Sequence, residues 1–388
     1  MAAAGRYRSR RRRDVVGPGP GRPAVPVTNL RKAGPGGGQF ARDGLSALRA
    51  GFDAASAACG GASCDGYDIA GARVHLRFAS PALRSRLAPA FDHLAARADD
   101  GAAPALTVCL WDSASTGVEP PPRPPAPSDH AEGALFHFHE PPIRAAYQPG
   151  LESLSVWDAE DGIAWHWVSD ALEQPYWDQA SPIRQILFWW LSARGCLQVH
   201  GAAVGTPDGG VLLVGKGGSG KSTVALSTLG SELLYAGDDY VAVTLDPSPR
   251  IESLYGTAKL EPDHARALFP NLVPLLSNAD RLDAEKAVIH VHGHFPESLT
   301  KGFPLRAILV PKVRSSQRES RIVDVSRAEA FAALAPSTIF QLHTAGPDSL
   351  AQMSGVVQRV PCYGLELGSD LAMIPATISD FLGSLDSA

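Results

Sequence analysis

Apolar positions along this chain change period several times, and each change predicts an element. Helical spacing over residues 46–58 predicts a short amphipathic helix, and strand-like pieces at 72–78 and 106–111 flank a helix predicted over 81–98. Alternating, aromatic and β-branched stretches predict short strands at 134–139, 145–148, 153–157 and 162–168. Ser181 and Pro182 then have the chemistry of an N-cap and first helical residue, opening a helix that runs to about Arg194 and closes at Gly195. A strand ending at His200-Gly201, a turn at 206–210 and a buried strand at 211–214 predict a hairpin that brings His200 back toward the residues that follow. Later come a helix ending near Gly230, a strand over 238–243, a buried strand at 304–311 and a capping box from Ser326 to Glu329 before a helix over 328–334. A strand at 361–367 and a helix within 370–385 end the pattern.

Composition is that of a globular chain: 45% of its 388 residues are hydrophobic and 19% charged, enough for two domains with a sizeable core. Charge is unevenly spread. Residues 1–50 hold 11 Lys+Arg against 2 Asp+Glu and the rest 24 against 38, so the body carries a net charge of −14. An acidic body argues against nucleic acid as partner. The expected organisation is a disordered, basic, Pro/Gly-rich tail over 1–44, an α+β N-terminal domain over 45–180 and a second domain over 181–388. The tail lacks the apolar core of a secretory signal. The run Pro120-Pro121-Pro122-Arg123-Pro124-Pro125 predicts an extended surface loop. Cys59, Cys64, Cys109, Cys196 and Cys362 show no metal-type pairing, and no apolar run is long enough to cross a membrane, so a cytoplasmic protein is expected. A homo-oligomer stays open.

The densest chemistry is the run Gly215-Lys216-Gly217-Gly218-Ser219-Gly220-Lys221-Ser222-Thr223, which satisfies G-x-x-x-x-G-K-[ST]. It follows a strand and opens a helix, the context a phosphate-binding loop requires. Glycines let the backbone turn its N–H groups inward around a phosphate. Lys221 would reach the β- and γ-phosphates, and the Ser222 hydroxyl would sit on Mg²⁺. Asp238 and Asp239 then follow the Walker B logic, a carboxylate opposite the phosphates holding the metal or its water. Adjacent side chains alternate on a strand, so both acids can face one site only at a bend. A glycine-rich turn and a solvated acidic turn are the bland alternatives. His290, His292 and His294 recur with period two and would share one strand face, for which a solvated edge strand is simpler than a metal site.

The order His200-Gly201, hairpin, glycine-rich loop, helix and Asp238-Asp239 resembles the HPr kinase/phosphorylase family over roughly 180–310. The resemblance implies an α/β P-loop kinase domain with a mixed or antiparallel sheet, of the type shared with ATP-dependent phosphoenolpyruvate carboxykinase, preceded here by a smaller α+β domain. It implies ATP and Mg²⁺ as cofactors, His200 near the γ-phosphate, Asp238 as general base and Asp239 as a metal or outer group, with the order of the two acids open. Residues 251–260 depart from the family's signature. Glu252 as the metal acid and Lys259 as a phosphate or substrate contact are what that stretch offers, and HPr itself is not carried over as acceptor. The function expected is an ATP- and Mg-dependent kinase acting on a hydroxyl, that of a Ser in a protein or peptide. A tailoring kinase of peptides fits this description. The competing class is a nucleotide-dependent switch or chaperone-type ATPase that transfers nothing.

Overall fold

A computed structural model describes residues 43–96, 101, 103–126, 135–342 and 347–386. The basic tail predicted over 1–44 lies outside them except for residues 43 and 44. Helix α1 (Leu45–Ala58) precedes β1 (Ser63–Ile69), β2 (Ala72–Phe78), α2 (Pro81–Leu87), β3 (Leu106–Asp112) and α3 (Ser113–Thr116). The strands β4 (Phe136–Glu140), β5 (Ile143–Gln148), β6 (Ser153–Asp158) and β7 (Ile163–Val168) complete a seven-stranded sheet, ordered β1-β2-β3-β7-β6-β5-β4. It is mixed, because β3 pairs in parallel with both β2 and β7 while the other pairs are antiparallel. One face buries Trp111, Trp165 and Trp167 against Leu48, Phe52 and Ala55 of α1. Each such side chain contributes on the order of 1.5–3 kcal/mol by leaving water.

Short helices α4 (Tyr176–Ala180) and α5 (Arg184–Ala193) lead to the second sheet. It contains β8 (Leu197–His200), β9 (Ala202–Thr206) and β10 (Gly209–Leu213), then, after α6 (Lys221–Ser227), β11 (Leu234–Gly237), β12 (Tyr240–Thr244) and β13 (Arg250–Ser253). The pair β14 (Thr257–Leu260) and β15 (Ala287–His290) stands apart, with α7 (Pro262–Leu268) between them. The long β16 (Gly302–Val313), β17 (Arg321–Asp324), α8 (Arg327–Gln341), α9 (Pro347–Arg359), β18 (Cys362–Leu367) and α10 (Ile374–Asp386) follow. The path runs β11-β9-β10-β16-β13-β12-β8, with β18 beside β16 and β17. Parallel pairs β10–β16 and β16–β18 join antiparallel ones, so this sheet is mixed too. Period-two alternation sorts its faces. Val211 and Leu213 pack toward α6 and α10, whereas Leu212 and Val214 pack toward α8 and α9. The architecture is α/β with mixed sheets, and Tyr240, Ala242 and Tyr255 of the second half share a core with α5 and the first sheet.

Three local expectations are corrected. The helix predicted over 81–98 stops at Leu87 and continues as a 3-10 helix, Ala88–Leu94. Pro89 brings no N–H and its ring clashes with the preceding turn, so the α-ladder ends there. Ser181 does not cap α5. Ile183 takes the cap position with a left-handed φ of 48°, and Ser181 turns its hydroxyl toward Asp239 at 3.5 Å. The hairpin forms between β9 and β10, but β8 does not run into it. The chain swings away at Gly201, where a Cβ would meet the Leu213 carbonyl at 2.8 Å, and β8 pairs with β12 at the far end of the path.

Candidate functional site

Residues 215–220 form a loop between β10 and α6, at the end of a strand fixed on both sides by backbone pairing. Gly218 and Gly220 take φ of 77° and 104°, which other residues reach only under strain. A Cβ on Gly220 would also come within 2.4 Å of Leu367 Cδ1. Gly217 and Gly218 face open space and, with Lys216, form the exposed rim. Lys221 is buried and folds back over the loop, donating from Nζ to the Gly215 carbonyl at 2.7 Å and to that of Lys216 at 3.4 Å. Desolvation lowers its pKa, while Asp238 and Asp239 pull it back up. Ser219 Oγ is buried with no partner, aimed at Gly215. Thr223 follows on α6, partly buried.

The acidic pair sits at the bend between β11 and β12, where Asp239 has a left-handed φ of 75°. That bend sends the two carboxylates to different partners. Asp238 Oδ1 accepts from Ser222 Oγ at 3.0 Å, and Oδ2 from the Lys259 backbone N–H at 3.4 Å. Burial and the neighbouring Asp239 raise its pKa, and the Ser222 hydroxyl and Lys221 offset part of this. Asp239 faces His200 Nε2 at 3.2 Å and the Lys259 ammonium at 2.5 Å. Burial would raise its pKa too, but Lys259 and His200 outweigh burial and hold this carboxyl well below the usual range. The cross-strand pair Tyr240↔His200 puts the imidazole there, with the Tyr240 ring 5.5 Å from it and the imidazole Nδ1 buried without a partner.

Of the residues singled out in the sequence, Ser222, Asp238, Asp239, His200 and Lys259 are thus brought into one bonded cluster, while Lys221, tied to the loop carbonyls, feels the charge of both acids. Glu252 is elsewhere in its bonding: on β13, its Oε1 accepts from Arg250 Nε at 3.3 Å. The three histidines do not share a strand face, because β15 ends at His290 and Val291–Gly293 is a 3-10 turn. Among the described residues no group of three or more His, Cys, Asp or Glu is arranged to hold a metal, and no helix is long and apolar enough to cross a membrane. Sequence reasoning missed Ser181 and Tyr240 as neighbours of the acids, and Arg184 over the Tyr240 ring. Only the adjacency of Tyr240 to Asp239 hinted at any of them.

No family model matches this chain, and no curated protein matches it. Among solved structures, the HPr(Ser) kinase/phosphatase from Coxiella burnetii aligns at a TM-score of 0.27 and 9% identity, over 49% of this chain and 97% of that one. The chemistry assigned below therefore rests on this chain's own geometry.

Proposed function

We propose that this chain is a P-loop phosphotransferase of the HPr kinase type, taking the γ-phosphoryl group of ATP to the hydroxyl of a Ser in a protein or peptide. The observation that carries the reading is the 3.0 Å bond between Ser222 Oγ and Asp238 Oδ1. It couples the last polar residue of the loop motif to an acid beside the next strand, as a magnesium-nucleotide site needs. The loop's left-handed glycines, its open rim and the partnerless Ser219 hydroxyl fit a phosphate cradle. Ser222 and Asp238 are hard oxygen donors suited to Mg²⁺, and we assign them this role in place of Asp239 and Glu252. When bound, Mg²⁺ neutralises phosphate charge.

Asp239 is then the proton acceptor. Lys259 and His200 keep it ionised and fix its orientation. In the transfer, the acceptor oxygen bonds to the γ-phosphorus, the bond from that phosphorus to the β,γ-bridging oxygen breaks, ADP leaves, and the hydroxyl proton passes to Asp239. A loose transition state puts little charge on the nucleophile before bond formation, so a weak carboxylate base serves. Lys221 holds the β- and γ-phosphates, and residues 45–180 supply acceptor recognition.

The test is γ-labelled ATP with a library of Ser-containing peptides. Label in peptide is the expected result. Label released only as free phosphate would favour a switch or ATPase over the transferase, and untouched ATP would overturn both.

A further inference from the structure

Ser181 has the chemistry of a helix N-cap, yet it does not cap α5. Its hydroxyl donates instead to Asp239 Oδ2 at 3.5 Å, and the residue is only 1% exposed. The Lys259 ammonium lies 2.5 Å from the same oxygen. A serine hydroxyl and a cation therefore meet on the carboxylate assigned above as the proton acceptor. The adjoining Asp238 bonds Ser222 of the loop at 3.0 Å, so one bend of the chain links this hydroxyl to the residues assigned to the magnesium nucleotide. The charge of Asp239 also reaches Lys221, the cation assigned to the β- and γ-phosphates.

The backbone around Ser181 is held firmly. Thr257 Oγ1 donates to the Ala180 carbonyl at 2.6 Å, and Tyr255 OH donates to the Pro182 carbonyl at 3.0 Å. Both chain neighbours of Ser181 are thus pinned by buried side chains of the second half. Ile183, a β-branched residue, follows at a left-handed φ of 48°, a conformation that persists only where its surroundings enforce it. Ser181 cannot withdraw from Asp239 without breaking a buried hydrogen bond.

We infer that Ser181 is itself an acceptor, and that the chain phosphorylates this serine within one molecule. The inference rests on the nucleotide reading above. Ser181 Oγ bonds to the γ-phosphorus of ATP, the bond from that phosphorus to the β,γ-bridging oxygen breaks, ADP leaves with that oxygen, and the hydroxyl proton passes to Asp239. A base must lie within hydrogen-bond reach of the proton it takes, and such contacts are often long before substrate binds and tighten afterwards. Lys259, on the same carboxylate oxygen, is placed to meet the charge of the arriving phosphoryl group. A hydroxyl already fixed beside its base needs no encounter with a second molecule. Burial keeps Ser181 from the site of any other copy.

The experiment incubates the full chain with the magnesium complex of γ-labelled ATP, alone and with the library of Ser-containing peptides, and maps the label by mass spectrometry. Alone, wild type is expected to take label at residue 181, at a fractional rate that does not change over a tenfold range of protein concentration. Asp239→Asn is expected to lower that rate ~10²–10⁴-fold. Ser181→Ala should lose the label at this position, and Ser181→Thr, which keeps a hydroxyl there, should retain it at a lower rate. A crystal structure of wild type with magnesium and the imido analogue of ATP gives a readout without turnover. Its γ-phosphorus is expected roughly 3–3.5 Å from Ser181 Oγ. A γ-group out of contact with Ser181 overturns the inference, as does a fractional rate that rises in proportion to protein concentration. Label in the peptides with none on Ser181 overturns it while leaving the transferase reading intact. Label in neither overturns the transferase reading, and this inference with it.

Discussion

Buried aspartates occur in both halves of the molecule and are used in opposite ways. Asp112 and Asp158 of the first sheet are buried at strand ends, and their oxygens serve the next turn. Asp112 Oδ2 accepts from the Ser115 N–H at 2.8 Å, and Asp158 Oδ1 from those of Glu160 and Asp161 at 3.0 and 3.3 Å. These partners lie two or three residues away in the chain. Asp238 is equally buried, but its partner Ser222 is 16 residues away, and Asp239 bonds His200 and Ser181 across 39 and 58 residues. Burial of an acid is therefore no mark of a site. A short-range partner stabilises a turn, whereas several long-range side-chain partners mean the fold has assembled charge at a cost that turn-making does not require.

The contrast breaks most visibly through the acids themselves. Asp239→Asn is expected to lower phosphoryl transfer ~10²–10⁴-fold, the range of a general base, with nucleotide affinity falling less. Asp158→Asn should leave transfer at the wild-type rate. Equal rates for Asp239→Asn and wild type would reduce the acidic pair to a structural bend. Next in size, Lys221→Ala should cost roughly 10²–10³-fold in turnover with folding intact, since the lost group is a preorganised charge on a loop. A folded Lys221→Ala protein with wild-type turnover would remove the phosphate-loop assignment.

The loop's own glycines sharpen the picture at a smaller scale. Gly220→Ala combines a φ of 104° with a Cβ 2.4 Å from Leu367 and should destabilise by about 1–3 kcal/mol. Gly217→Ala meets nothing within 4 Å and should stay within about 0.5 kcal/mol of wild type by urea unfolding. On the first sheet, Asp112→Ala removes the cap of α3 and should cost about 0.5–2 kcal/mol while sparing transfer. Lost activity in a stably folded Asp112→Ala protein would erase the distinction between the two kinds of acid.

The smallest effect concerns a contact that crosses between the halves. His93 Nε2 lies 2.7 Å from Ser253 Oγ, and burial pushes its pKa down to about 3 from 6.5. Because the folded value is the lower one, its contribution is fully present above pH 6.5 and is lost as pH falls toward about 3. Urea unfolding at pH 7.5 and 5 should therefore show a smaller acid-induced loss in His93→Gln than in wild type. An identical loss would mean that His93 is already exposed to protons in the folded protein.

Much of this was legible in the amino-acid order. Strands form where they were predicted at 72–78, 153–157 and 361–367, and the Ser326–Glu329 capping box forms as its spacing predicts. Where a single residue overrules the pattern, as Pro89 does inside the predicted helix, periodicity misleads because the hydrogen-bond ladder fails while the apolar spacing persists. The strained Ile183 and the split between β8 and the hairpin were hidden for another reason: distant partners impose both.

The sequence by itself determined the glycine-rich loop between β10 and α6, because its conformation depends on glycines, a lysine and a hydroxyl within nine consecutive residues flanked by a strand and a helix. It also determined that two acids follow. Which acid faces the Ser222 hydroxyl, which one Lys259 and His200 keep ionised, and that Ser181 turns its hydroxyl to Asp239 from just before α5 were decided only by tertiary structure. The reason is that a charge in a buried site takes its state from whatever surrounds it, and here those surroundings come from β8, β12, β14, α5 and α6, brought together by sheet pairing and a shared apolar core.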